Sequence, residues 1–294
     1  MLLAFKLKLA LACIVGLAGP TAMAPLVTGL NDTATPGFDG PAMTEIAPAT
    51  IRYRDSGDHL RNGRPAEAPL TAIRFAHPLT IMTNQVSAAD YQACVEERRC
   101  RALDRDVSIA IDRPAVQVSW HDAVTYAAWL SHKTGDLYRL PTDVEWAHAA
   151  GSRFKDDSVT VDDADPSRRW IARYEREAAL PEDARTRSFG AFGINEHGLA
   201  DMAGNVWEWT STCFTRKLHD DAGRVTKTVS NCGVRLAEGA HRAYVTDFIR
   251  DARAGGCASG TPPANLGFRL VREQPSWSRS MAQRLSRLRG ATGV

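Results

Sequence analysis

The chain alternates before it does anything else. Ile51-Arg52-Tyr53-Arg54 places apolar and basic side chains on opposite faces and predicts a strand, and Phe75 to Ile81 predicts another. The pattern then changes to a helical one. Ser87-Ala88-Ala89-Asp90 opens a helix, with Ser87 as cap and Asp90 at the positive end of the helix dipole. A longer helix starts at Ser119, with Asp122 three residues on, an apolar stripe through Val124, Ala127, Ala128 and Leu130, and Gly135 as its stop. Thr142 and Glu145 form a capping box for a third helix that turns Trp146 and Ala149 inward. Asp156 to Ala184 is charged and weakly patterned, a solvated insertion with one short helix around Ala172 to Ala179. From Phe189 onward the text predicts short strands and tight turns.

Periodicity fails at both ends. Lys6 and Lys8, the apolar run Leu9 to Ala18 and the small-x-small triplet Ala22-Met23-Ala24 predict an export signal over residues 1–24. Pro25 directly after that triplet moves the cut to a neighbouring position or leaves the segment as an anchor. Residues 25–50 are rich in Pro, Thr, Gly and Ala and read as a linker, so the globular domain is expected over 51–274. Beyond Pro275, residues 275–294 form a basic amphipathic tail: Trp277, Met281, Leu285 and Leu288 with Arg279, Arg284, Arg287 and Arg289. That tail suits contact with a membrane surface or a partner, and equally a helix docked on its own domain.

Composition adds exclusions. A net charge of +2 with no basic stripe excludes nucleic acid as a partner. Of six cysteines, Cys13 leaves with the signal. Cys94 and Cys100 flank a helix end, and Cys213 and Cys232 flank a polar loop, so both pairs read as local staples of an exported protein. Spacing leaves Cys213 a second possible partner in Cys257. No closely spaced His/Cys group points to structural zinc.

Three segments in order carry a family resemblance. They are Pro114-Ala115-Val116-Gln117-Val118-Ser119-Trp120 through Leu140-Pro141-Thr142-Asp143-Val144-Glu145-Trp146, Gly198-Leu199-Ala200-Asp201-Met202-Ala203-Gly204-Asn205-Val206-Trp207-Glu208-Trp209, and Asn265-Leu266-Gly267-Phe268-Arg269-Leu270-Val271. Together they resemble the formylglycine-generating enzyme (sulfatase-modifying factor) family. The resemblance implies an α+β, C-type-lectin-like fold, irregular, with few helices and small antiparallel sheets. It also implies a calcium site in which Asp201 and Glu208 give side-chain oxygens and Gly204 and Val206 give carbonyls, a donor set suited to a hard cation. A second family calcium site would fall near Arg168-Arg169-Trp170, where two arginines argue for its loss.

The chemistry departs from the family. Its generating enzymes oxidise a substrate cysteine with copper held by two cysteines, the soft thiolates that copper(I) prefers. The corresponding stretch here is Ala240-His241-Arg242-Ala243-Tyr244-Val245, and no cysteine occurs from Gly233 to Gly256. Copper is therefore not expected, and the resemblance leaves catalysis itself open. His241, Asp247 and Arg250 are the best remaining polar cluster for acid–base chemistry or for binding an anion, and the same trio also reads as structural ion pairs. Two cysteine-free branches fit: the accessory protein encoded with copper nitrite reductase and the periplasmic pyoverdine-maturation protein. The expected function is an exported maturation or accessory factor acting on an exported protein or metabolite. The alternatives are a non-catalytic lectin-like binding module and an oxidase acting on a siderophore-type chromophore.

Overall fold

The computed structural model describes residues 40–104, 107–158, 166–180, 185–255, 258–259 and 262–273. The expected signal, most of the expected linker, the expected basic tail and Cys257 lie outside the described residues. In chain order the elements are β1 (Met43–Ile46), β2 (Thr50–Arg54), β3 (Asp58–Arg61), β4 (Arg64–Ala66), β5 (Leu70–Arg74), β6 (Leu79–Met82), α1 (Ala88–Glu96), α2 (Trp120–Thr134), β7 (Leu137–Arg139), α3 (Asp143–Ala150) and α4 (Pro166–Ala178). They continue with β8 (Trp207–His219), β9 (Val225–Glu238), β10 (Arg242–Thr246), α5 (Ala252–Gly255), β11 (Ala258–Ser259), β12 (Leu266–Gly267) and β13 (Val271–Glu273). Among the described residues no helix is long and apolar enough to cross a membrane.

The strands form three sheets. A four-stranded sheet runs β1-β6-β13-β7, a larger one runs β11-β10-β9-β8-β3-β4 with β12 parallel to β8, and β2 pairs with β5. Two expectations change here. Residues 43–46, assigned by composition to the linker, form an edge strand against β6 that buries Ile46. The region after Phe189 is dominated by one long hairpin, because β8 and β9 run for 13 and 14 residues. Its outer half is polar and exposed on β9, so alternation there carries little hydrophobic signal. The strand expected from Phe75 to Ile81 begins only at Leu79, since Phe75 to Pro78 lie in the connection.

The helix starts are as the capping pattern predicts. Ser119 accepts from the backbone N–H of Asp122 while Asp122 accepts from that of Ser119, and Gly135 ends α2 in the left-handed region at φ 77°. Thr142 and Glu145 repeat the box on α3. These caps fix where α2 and α3 meet the sheets. One core joins α1 and α2 to Trp209, Ala243, Val245 and Phe268; a second gathers Trp146 of α3 with Ile81, Leu199 and Met202. The fold is the α+β arrangement expected.

Candidate functional site

Trp207 begins β8 and places the loop that leads into β10. Its indole Nε1 donates to the carbonyl of His241 at 3.0 Å, and the two rings meet edge-on with centroids 5.3 Å apart. Residue 239 must be glycine for this approach, because a Cβ there would lie 2.6 Å from the indole Cδ1. His241 Nδ1 faces the carbonyl of Arg242 at 2.8 Å, so Nδ1 carries the proton and Nε2 is the nitrogen left for the cleft. That cleft, about 470 Å³, is lined by His241 and Ala240 together with Arg52, Phe154, Lys155 and Arg176.

Behind Phe154 lies a buried charge cluster. The Arg242 guanidinium sits 5.0 Å from the Phe154 ring centroid and 5.3 Å from that of Tyr53. Its Nε donates to Glu238 at 3.0 Å and one terminal nitrogen to Asp143 at 3.0 Å, while the other is 4.0 Å from Asp157. Tyr53 donates to the same Asp143 oxygen, and Tyr244 donates to Asp157 at 2.8 Å. Three carboxyl groups thus surround one guanidinium. Burial, reinforced by the Asp143 charge and a hydrogen bond to Asp143, holds the Glu238 carboxyl well above the ordinary carboxylate range. A proton on Glu238, donated to Asp143, also accounts for two otherwise unpartnered buried atoms, Glu238 Oε2 and Asp143 Oδ1. Burial first, and Asp143 second, push the Tyr53 phenol up, so it acts here as a donor only.

The Asp201–Glu208 segment is built differently. Asp201, Ala203 and Asn205 all take left-handed backbone, with φ of 56°, 59° and 66°. The turn is held by its own side chains. The Asp201 carboxylate accepts the backbone N–H groups of Gly190 and Phe192, each at 2.8 Å, and Asn205 clamps the backbone of Arg187 from both its amide atoms. Glu208, fully buried, accepts from Arg269 on both oxygens at 2.7 and 2.8 Å, from Trp146 at 2.9 Å and from Gln85 at 2.9 Å. The Gln85 amide nitrogen also points at the carbonyls of Asp201 (3.3 Å) and Gly204 (3.4 Å). The sequence therefore brought the right residues together, but every Asp201 and Glu208 oxygen is committed to an N–H donor. The Gln85 amide nitrogen stands where three of these oxygens converge, the position a cation would take.

The trio His241, Asp247 and Arg250 does not assemble. Asp247 pairs with His121 at 3.2 Å, and Arg250 pairs with Asp104 at 2.8 Å and Asp122 at 3.1 Å, while His241 faces the cleft. The two local disulfides are Cys94–Cys100 and Cys213–Cys232, the latter crossing a register shift between β8 and β9. Every cysteine among the described residues is therefore in a disulfide. Arg169, expected near a lost calcium site, instead binds Glu67 at 3.0 Å.

Comparison with known proteins agrees with the motif order. The sulfatase-modifying factor enzyme 1-like domain matches residues 31–274. The chain belongs to that family. Among its sulfatase-modifying-factor relatives, the formylglycine-generating enzyme of Streptomyces coelicolor is 29% identical over 63% of this chain and 61% of that enzyme. Inactive C-alpha-formylglycine-generating enzyme 2 of Bos taurus is 32% identical over 53% of this chain and 54% of its own length. The chain thus spans between about half and three-fifths of these two relatives. The solved structure of PvdO from Pseudomonas aeruginosa shares the fold at TM-score 0.52, with 23% identity over 80% of this chain and 95% of that one.

Sequence reading named Glu208 and His241 but missed Gln85, Asp143, Glu238, Arg242 and Arg269 as site residues. One signal was available: Arg269 interrupts the apolar run Leu266 to Val271, and a charge inside such a run is buried against a partner.

Proposed function

We propose that this protein is an exported accessory or maturation factor of the sulfatase-modifying factor family, and not a formylglycine generator. The observation that carries the reading is the cleft wall itself. The two positions expected for the family's copper thiolates are Ala240, which lines the cleft, and Val245, which is buried in the core, and the described cysteines are all tied in disulfides elsewhere. Imidazole on its own is a poor substitute for two thiolates toward copper(I). A relative named as an inactive generating enzyme supports the view that the family contains non-generating members. Export rests on the N-terminal pattern of Lys6, Lys8 and Leu9 to Ala18 together with the two disulfides. A structural calcium ion is not part of this reading, since the Asp201–Glu208 donors are already satisfied.

The test is an aerobic incubation of the copper-supplemented protein with a cysteine-bearing sulfatase-type peptide, followed by mass spectrometry. The cysteine is expected to stay intact. Its conversion to the aldehyde would overturn the reading. Cell fractionation with N-terminal sequencing tests export: a cytoplasmic, uncleaved chain would contradict it.

A further inference from the structure

Two neighbouring clefts differ in how their charges are balanced. The smaller, about 280 Å³, is lined by Arg54, Arg169, Arg173 and Arg216 and by as many acids, Asp55, Asp58, Glu67 and Asp157. Arg169 and Arg54 meet Glu67 at 3.0 and 3.5 Å, and Arg216 meets Asp58 at 3.0 Å. The cleft beside His241 is not balanced in this way. Among the described residues the side chains of Arg52 and Lys155 show no ion pair or hydrogen bond, and that of Arg176 donates to the carbonyl of Ser158. Of the two acids nearby, Asp156 on the wall is already bound by Arg54 at 3.0 Å and by the Ser158 N–H at 3.0 Å, and Glu177 is buried 3.8 Å from His241 Nδ1.

Three like charges lining one concavity repel each other, and an anion placed among them removes that repulsion. Apolar surface is present as well, because Phe154 and Leu180 line the same space. At about 470 Å³ the cleft falls within the usual size of a small-molecule site. We propose that it binds a small organic anion, with the negative groups held by Arg52, Lys155 and Arg176 and an apolar body against Phe154. His241 Nε2 then offers an acceptor to a ligand O–H or N–H, its orientation fixed by the Nδ1 bond to the Arg242 carbonyl. The inference rests on the reading of this cleft as a binding site rather than a copper centre, and it names the class of ligand that the accessory factor takes.

Isothermal titration at low salt with phthalate, glutarate and the neutral benzamide tests it. Phthalate is expected to bind at least about tenfold more tightly than benzamide, and more tightly than glutarate, with affinity falling as salt rises. The double variant Arg52→Ala/Lys155→Ala removes two exposed side chains and leaves the fold intact by circular dichroism. It is expected to weaken phthalate by about tenfold or more. Arg224→Ala, on the distant hairpin where Arg224 pairs with Asp220, leaves binding unchanged. Equal affinity for phthalate and benzamide, no effect of the double variant, or an equal effect of Arg224→Ala would each overturn the proposal. Titration is read without peptide or copper, so its outcome is separate from that of the cysteine-oxidation assay.

Discussion

Among the described residues two arginines are wholly buried, and they are buried in opposite ways. Arg269 faces a single carboxylate, Glu208, and its remaining donors reach the carbonyls of Met82, Thr83 and Ala200 at 2.9–3.2 Å. All its N–H groups have acceptors, and Glu208 has donors on both oxygens. Arg242 faces Asp143, Glu238 and Asp157, and one of its terminal nitrogens has no hydrogen bond. The first node closes in charge and in hydrogen bonds, which is what a staple between β6, β8, α3 and the chain before β13 requires. The second has three acids around one base, holds the Glu238 carboxyl well above the ordinary carboxylate range, and sits behind the wall of the candidate cleft. A satisfied buried network fixes a fold, whereas an unbalanced one is where ligands and protons exert leverage.

The comparison makes graded predictions. The largest effect belongs to Arg269→Met, which strands the Glu208 carboxylate and should cost about 3–5 kcal/mol by urea denaturation. The double variant Arg269→Met/Glu208→Gln should recover part of that loss, and a single-variant cost near zero would remove the distinction between the nodes. Arg242→Met should cost less, about 2 kcal/mol at mildly acid pH, because its carboxyl neighbours can take up protons instead. That cost should grow as pH rises.

Glu238 gives a smaller effect with a definite sign. Its pKa is raised in the folded protein above the ordinary 4.5. The folded state therefore keeps a proton that the unfolded chain releases, and stability falls as pH rises from about 4.5 toward the folded value. Glu238→Gln, which keeps a donor facing Asp143, should flatten that decline. An unchanged pH–stability curve in the variant would mean that Glu238 keeps no extra proton in the folded state. The smallest effect concerns calcium. Since Gln85 and backbone N–H groups already occupy the Asp201–Glu208 acceptors, EDTA or added calcium should shift Tm by no more than about 1 °C. A larger stabilisation by calcium would show that Gln85 swings aside to admit the ion.

What the sequence revealed about these nodes follows from distance along the chain. Capping boxes at Ser119/Asp122 and Thr142/Glu145, and the disulfides at separations of 6 and 19 residues, are local and were read correctly. The fold came from motif order across the domain. Glu208 was legible as a buried acid beside tryptophans, but not its partners: Gln85 is 123 residues away and Arg269 is 61. Arg242 and Asp143 lie 99 residues apart, and nothing in either local pattern points to the other. Strand β1 was hidden because Met43–Ile46 acquires its strand character only from pairing with β6. His241 was found, but its expected partners Asp247 and Arg250 turn to α2, where His121 and Asp122 meet them.

The central claim is that the cleft keeps the family's architecture without its copper thiolates. Competition of the purified, disulfide-intact protein against a chromophoric copper(I) chelator tests this most directly. The account predicts no stoichiometric capture of copper(I), with the chelator spectrum unchanged on adding protein. One copper(I) withdrawn per chain, lost on substituting His241 or Cys257, would contradict it.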